Sequence, residues 1–233
     1  MLPQLSKIKG AALDFLFPQK CLGCGKEGEL LCRRCQLSLP RISPPVCPKC
    51  GRPQPSGIMC PSCIGWQNNV DGIRAPFKFE GLMREAVHQL KYKNLRSLAT
   101  PLAELLYNYL THYPLPGEFL VPVPLHRKRL RERGYNQSLL LTYKLGKLLK
   151  VPVVDSCLAR VSYVLPQAQT KSAAERIENV RGAFSCLNSQ LHNTRVILID
   201  DVSTSGATLD ACASVLKLAG ALSVWGVTLT REL

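Results

Sequence analysis

Apolar residues in this chain fall either in short unbroken runs or at helical intervals, and the alternation between the two sets the reading. Leu5, Ile8, Ala12, Phe15 and Leu16 share one face of a helix predicted over about 5–17. From Cys21 to Cys63 this periodicity gives way to a segment dense in glycine, proline and cysteine. It returns at VDGIRAPFKFEG (70–81), which predicts a strand and turn. Helices are predicted over 82–93 and 96–110, where Leu, Ala and Tyr recur at helical spacing. PLPG (114–117) breaks the chain. FLVPVP (119–124) predicts a short strand running into the basic loop LHRKRLRERGYNQ, then a helix over 136–149 and a strand at VPVV (151–154). A polar stretch with a helix at 172–181 leads to VILID (196–200), the strongest strand. A helix over 207–219 and a strand SVWGVTLTR (223–231) follow. Strands hydrophobic throughout and alternating with helices predict an α/β fold, its parallel sheet covered on both faces.

The texture divides the chain into an N-terminal amphipathic helix (1–17), a cysteine-rich module (18–66) and an α/β domain (70–233). With 233 residues, 46% of them hydrophobic, the chain can bury a substantial core. No window approaches the ~18–20 uninterrupted apolar residues of a membrane span. Lys9 and Asp14 interrupt the N-terminal apolar stretch, and no small-residue cleavage site follows before Cys21. The expectation is a soluble, unexported, cytoplasmic protein.

The formal net charge of +14 is uneven. Residues 1–70 carry nine Lys/Arg against three Asp/Glu, 71–150 fourteen against six, and 151–233 seven against seven. A surplus confined to the first two-thirds points to a polyanion partner without specifying which.

Eight of the eleven cysteines form four CxxC pairs: Cys21/Cys24, Cys32/Cys35, Cys47/Cys50 and Cys60/Cys63. In a reducing compartment this spacing reads as metal ligation, because each CxxC knuckle brings two thiolates to one tetrahedral ion. Eight ligands make two Zn²⁺ sites, paired in chain order or cross-braced, and the metal supplies the folding free energy that a coreless module lacks. No histidine or carboxylate leaves an open catalytic position, so both sites read as structural. Redox-active pairs and an iron–sulfur cluster are the rival readings. Gly25 and Gly51 follow their knuckles where a turn often needs positive φ. Cys157, Cys186 and Cys212 stand alone and read as core thiols.

In VILIDDVSTSGATL the apolar strand ends in Asp200 and Asp201, and Ser203, Thr204, Ser205, Gly206, Ala207 and Thr208 turn into the next helix. Ligands of a parallel α/β sheet gather at that edge. Backbone N–H groups at a helix N-terminus, hydroxyls beside them and a glycine without a side chain make a phosphate cradle. Two adjacent carboxylates accept hydrogen bonds from vicinal sugar hydroxyls. Phosphate plus diol describes a ribose 5-phosphate. The alternative is that the aspartates merely cap the helix. No Walker-type lysine follows.

The stretch resembles the PRPP-binding signature of type I phosphoribosyltransferases, in which the paired acids hold the ribose of phosphoribosyl pyrophosphate (PRPP) and the loop binds its 5-phosphate. Ser205 stands where a threonine is common. With the N-terminal cysteines and VPVPLHRKRLRERGYNQS, the chain from about Phe17 to Arg231 resembles the ComF family of competence proteins. That family joins a small double zinc-ribbon module to a type I phosphoribosyltransferase-like domain. Its KY-x-G turn appears here as KYKN (91–94), without the glycine.

The resemblance makes the basic segment a pyrophosphate loop, with Arg127, Arg129 and Arg133 as phosphate ligands and Gly134 allowing close backbone approach. The other reading is a solvated basic face or a nucleic-acid grip, since five basic residues in seven exceed what one pyrophosphate requires. QTKSAAERIENVRGAF (169–184) resembles the family's closing hood, which carries Gln169, Arg176, Asn179 and Arg181 over as candidates; its arginines could instead pair Glu175 or Glu178 along a helix. Catalysis, where it occurs, would use Mg²⁺ with PRPP, and the carboxylate charge of Asp200 or Asp201 beside an oxocarbenium-like C1. The acceptor is unspecified. Tyr92 and Tyr135, beside basic residues, would suit stacking on the bases of single-stranded DNA, with packing as the plainer reading. The implied role is PRPP binding in the uptake or processing of transforming single-stranded DNA. A metabolic phosphoribosyltransferase acting on a nitrogenous base, and a non-catalytic adaptor docking a competence helicase through the zinc module, are the alternatives.

Overall fold

The computed structural model describes residues 19–65, 69–162 and 182–233. The helices expected over 5–17 and 172–181 lie outside the described residues, as do Gln169, Arg176, Asn179 and Arg181. The chain forms two compact units, Met1–Leu39 and Pro40–Leu233. The division falls inside the cysteine-rich segment, between its second and third CxxC pairs.

In the first unit, Lys20 and Glu27 form an antiparallel bridge around the first knuckle, and helix α1 (Arg33–Leu37) carries the second pair, with Cys32 at its N-cap and Cys35 buried within it. Gly25 takes φ +73° while its N–H donates to the Cys21 carbonyl at 2.8 Å, the positive-φ turn expected of a knuckle.

The second unit is organised by a parallel sheet of five strands: β1 (Gly72–Arg74), β2 (Phe77–Lys78), β3 (Phe119–Pro122), β6 (Arg195–Ser203) and β7 (Ser223–Arg231). The order is β1–β7–β6–β3, with β2 also pairing β7, and Ile199 opposite Val227 in the centre. The long central strands are buried on both sides. Val196 and Leu198 pack with Leu209, Cys212, Ala213 and Leu216 of helix α6 (Ala207–Leu218), while the alternate residues Ile197 and Ile199 are buried on the opposite face. Each such buried side chain contributes about 1.5–3 kcal/mol. Helices α2 (Gly81–Tyr92), α3 (Ala99–His112) and α5 (Gln137–Leu149) bury Leu90, Leu106 and Leu145 among others. The α/β architecture and its parallel sheet agree with the hydrophobic pattern.

Three details differ from expectation. VPVV (151–154) supplies only an isolated parallel bridge, Leu120 to Val153, because Pro152 has no N–H to extend a ladder. Leu158–Arg160 (β4) and Phe184–Cys186 (β5) form a short antiparallel pair that no run of apolar residues marked. The basic loop contains a seven-residue helix, α4 (Arg127–Arg133), with no buried residue. Its caps hold it instead. The His126 ring accepts from the Lys128 N–H, and Gly134 at φ +78° returns its N–H to the Leu130 carbonyl at 2.8 Å.

The third and fourth CxxC pairs belong to this second unit. Lys49 accepts a hydrogen bond from the Ile73 N–H at 2.8 Å, and Arg74 donates to the Pro48 carbonyl at 2.9 Å, so the knuckle is sewn to β1. Gly51, at φ +73°, lies so close to β1 that a Cβ there would meet the Ile73 carbonyl oxygen at 2.4 Å.

Candidate functional site: an anion loop, a basic cavity and two metal centres

The carboxyl ends of β6 and β3 lie side by side, with Pro122 opposite Ile199, so the loop after β6 and the basic helix after β3 open at one sheet edge. Successive strand residues point to opposite faces, and the two aspartates therefore have different surroundings. Asp200 accepts a 2.7 Å hydrogen bond from the Ser138 hydroxyl on α5 and a 2.9 Å bond from the Asp201 N–H. Burial and the neighbouring charge of Asp201 push it up to about 6, against the opposing pull of Lys91 and Ser138. Asp201 is 2% exposed and ion-paired to Lys91 at 2.8 Å. Burial lowers the Lys91 value, but the carboxylates outweigh it and the ammonium is held above its ordinary range. The second oxygen of Asp201, Oδ2, is buried without a hydrogen-bond partner among the described residues.

A cavity of about 250 Å³ stands in front of this pair. Lys91, Asp200 and the residues from Ser203 to Thr208 line it, with Phe79 at its edge. Gly206 takes φ +86° at the start of α6, and the Ser205 hydroxyl accepts from the Ala207 N–H at 3.3 Å. The structure thus brings a helix N-terminus, hydroxyls, an ammonium and a carboxylate to one hollow, a composition suited to an anionic sugar derivative. Ser203 differs from its neighbours. Its hydroxyl accepts from Arg231 Nη1 at 3.2 Å.

Lys91 also lines a second cavity of about 490 Å³, together with Tyr92, Arg96, Arg129, Arg133 and Tyr135. The guanidinium carbon of Arg96 lies 4.5 Å from the Tyr135 ring centroid and that of Arg133 5.2 Å from the Tyr92 ring centroid, so each arginine makes a cation–π contact. Arg133 also donates to Gln137, and the Tyr135 hydroxyl donates to the Leu90 carbonyl. Arg129 and Arg133 are brought to this cavity. Arg127 is exposed and lines neither hollow, and Gly134 closes α4. Asn94 occupies the glycine position of the KY-x-G turn at φ +55°, a left-handed conformation asparagine tolerates, so the departure is absorbed locally. Lys91, Arg96 and Ser138 were not singled out from the sequence. Nothing local marks Lys91 as the partner of an acid 110 residues away.

The eight module cysteines form two clusters in chain order, Cys21/Cys24/Cys32/Cys35 and Cys47/Cys50/Cys60/Cys63, each with its sulfurs within 4.8 Å of one another. This geometry selects sequential over cross-braced pairing. Against the penalty of burial, N–H groups of Cys32, Gly23 and Cys24 bring Cys21 down to about 6, and those of Cys50, Cys60 and Lys49 do the same for Cys47. Burial and crowding by neighbouring thiols push Cys35 up to about 12. Four soft ligands that cannot all ionise without a cation at their centre fit structural zinc. Outside the clusters, Cys157 is buried and pushed up to about 12, Cys212 is likewise buried and raised, and Cys186 is half-buried.

Residues 12–64 match the family model described as a double zinc ribbon domain. Among similar proteins, Competence protein F of Haemophilus influenzae is 30% identical over 91% of this chain and 97% of its own length. DNA utilization protein YhgH of Salmonella typhi is 32% identical over 81% of this chain and 85% of its own. Among solved structures, the purine phosphoribosyltransferase of Pyrococcus horikoshii is similar over 56% of this chain and 71% of its own, with 18% identity and a TM-score of 0.34. Among the described residues, no helix is long and apolar enough to cross a membrane.

Proposed function

The chain belongs to the ComF family of competence proteins, and on that premise we propose that it binds PRPP, or a related ribose 5-phosphate, while supporting the uptake or processing of transforming single-stranded DNA. The observation that carries this reading is the 250 Å³ cavity in which Asp200, Lys91 and the Ser203–Thr208 loop meet. A 5-phosphate fits against the amides and hydroxyls at the start of α6, where the helix dipole favours an anion. The ribose diol then donates to Asp200, the carboxylate on the cavity wall. Asp201 holds Lys91 in place through Oδ1, and with Oδ2 buried its part in ribose binding rests on the family resemblance.

The pyrophosphate end extends past Lys91 toward Arg129 and Arg133, whose planar guanidinium groups suit bidentate phosphate contact. Arg127 and Gly134 remain assigned to this loop through the family resemblance, as do Gln169, Arg176, Asn179 and Arg181 to the hood. Mg²⁺ accompanying the pyrophosphate supplies charge neutralisation for a leaving group, and Asp200 is the carboxylate that would hold it. In a transfer reaction, the charge of Asp200 and Asp201 stabilises positive character at the sugar C1. The cations of the larger cavity exceed the needs of one pyrophosphate, which favours a nucleic-acid partner over a purely metabolic role.

The test is calorimetric titration of the zinc-loaded chain with PRPP and Mg²⁺, coupled to an assay of pyrophosphate release with and without candidate bases. Binding that disappears in Asp200→Asn supports the reading, and unchanged affinity in that variant overturns it. Base-dependent pyrophosphate release would move the protein into the metabolic class.

A further inference from the structure

Asp200 and Asp201 are adjacent in the chain and unequal in the site. Asp201 lines neither cavity. Its Oδ1 is taken by Lys91 Nζ at 2.8 Å, and its Oδ2 is buried. Turning it toward a ligand would leave the ammonium of Lys91 without its partner, which a largely buried charge does not tolerate. Asp200 is the single carboxylate among the described residues that line the smaller cavity. Its Oδ1 already accepts from the Ser138 hydroxyl at 2.7 Å and from the Asp201 N–H at 2.9 Å. One carboxylate oxygen, Asp200 Oδ2, is therefore left for a sugar.

The two hydroxyls of a ribose 5-phosphate do not reach that oxygen equally. With the 5-phosphate against the start of α6, the C3 hydroxyl is the nearer to it along the sugar, and C2 lies one carbon further on, beside C1. The loop offers little to replace a second carboxylate. Ser203 accepts from Arg231 Nη1 at 3.2 Å and Ser205 from the Ala207 N–H at 3.3 Å, which leaves the hydroxyls of Thr204 and Thr208 for the phosphate.

We infer that this site takes 2-deoxyribose 5-phosphates with a free C3 hydroxyl about as readily as their ribose counterparts, because Asp200 serves the C3 hydroxyl and no carboxylate is reserved for the one on C2. The inference rests on the sugar-phosphate reading above and extends its ligand class to the 5′-phosphorylated deoxynucleosides that hydrolysis of DNA releases. A site that dedicates a carboxylate to one hydroxyl loses about 10–150-fold in affinity for the analogue without it. Absence of that acceptor removes the penalty.

The experiment titrates the zinc-loaded full chain by calorimetry, without added Mg²⁺, with ribose 5-phosphate and with 2-deoxyribose 5-phosphate. The deoxy sugar should bind no more than about threefold more weakly, the low end of what a neutral hydrogen bond contributes. Asp200→Asn should weaken both sugars, and Asp201→Asn should move both dissociation constants by the same factor. Any larger preference for ribose 5-phosphate in wild type overturns the proposal, and a preference abolished by Asp201→Asn would assign the C2 hydroxyl to that acid. The wild-type ratio decides the question where Asp201→Asn does not fold. Binding of ribose 5-phosphate alone refutes this inference and leaves the sugar-phosphate reading standing. Binding of neither compound refutes that reading and the inference with it.

Discussion

Lys91 Nζ sits 2.8 Å from Asp201 Oδ1, joining the last turn of α2 to the end of β6 with 3% of the aspartate side chain exposed. Opening a buried pair by removing one member costs about 3–5 kcal/mol, since the other charge is left uncompensated. Lys91→Met should therefore lower the melting temperature by roughly 6–20 °C, taking ~2–4 °C per kcal/mol for a chain of this size. The double variant Lys91→Met with Asp201→Asn should recover most of that loss. Thermal unfolding followed by circular dichroism checks it, and a single variant as stable as wild type would show that the pair is not formed in solution.

Asp200 calls for the opposite sign. Its folded value is raised to about 6 from an ordinary 3.8, so its contribution to stability is present at low pH and lost as pH rises through about 6. Asp200→Asn carries no charge at any pH. It should be more stable than wild type at pH 8, by about 3 kcal/mol from about 1.4 kcal/mol per pH unit, with the advantage fading toward pH 4. Ligand binding should be lost in the same variant. A carboxylate kept at a cost to folding is better explained by a ligand than by helix capping. Melting curves at several pH values, compared with Asp200→Asn, test this; a pH-independent difference would refute the assignment of the strained group to Asp200.

Much of this was legible in the sequence, for definite reasons. VILID and SVWGVTLTR are apolar on both faces because they form the sheet centre, and CxxC spacing encodes a metal knuckle locally. α4 was not legible. Its seven residues have no apolar face, and its stability comes from caps at His126 and Gly134. Pro152 cut short a strand that its apolar neighbours suggested. Lys91 and Arg231 were invisible as site residues because their partners, Asp201 and Ser203, are brought to them only by tertiary folding. The Asp-Asp pair was found as a unit, yet the strand's alternation gives its members separate faces and separate partners.

The two knuckle glycines share φ +73° and differ in what surrounds them. A Cβ at Gly25 would meet nothing within 4 Å, so Gly25→Ala should cost only the left-handed penalty of about 1–2 kcal/mol. A Cβ at Gly51 would meet the Ile73 carbonyl oxygen at 2.4 Å, and backbone on both sides must move. Gly51→Ala should destabilise by more than Gly25→Ala, by several kcal/mol, and should reduce bound zinc from two per chain toward one. Metal analysis after gel filtration checks the stoichiometry. Equal losses in the two variants would mean that the Cys47/Cys50 knuckle is not packed against β1.

The basic cavity makes the last prediction. Lys91, Arg96, Arg129 and Arg133 face it with a single acid, Glu132, among its walls, and Tyr135 and Tyr92 make cation–π contacts with Arg96 and Arg133. Such a surface holds a phosphate chain and offers one exposed ring, Tyr92, for a base to stack upon, whereas Tyr135 is buried and serves packing. A short single-stranded oligonucleotide should therefore bind with an affinity that falls steeply with salt, the logarithmic slope being about −0.7 for each phosphate neutralised. Arg96→Ala and Arg133→Ala should each flatten that slope by roughly 0.7, whereas Tyr92→Ala should weaken binding at every salt concentration and leave the slope unchanged. Fluorescence anisotropy across a salt series separates the two effects. A flat salt dependence, or slopes unmoved by either arginine variant, would place any DNA contact elsewhere and return this cavity to pyrophosphate alone.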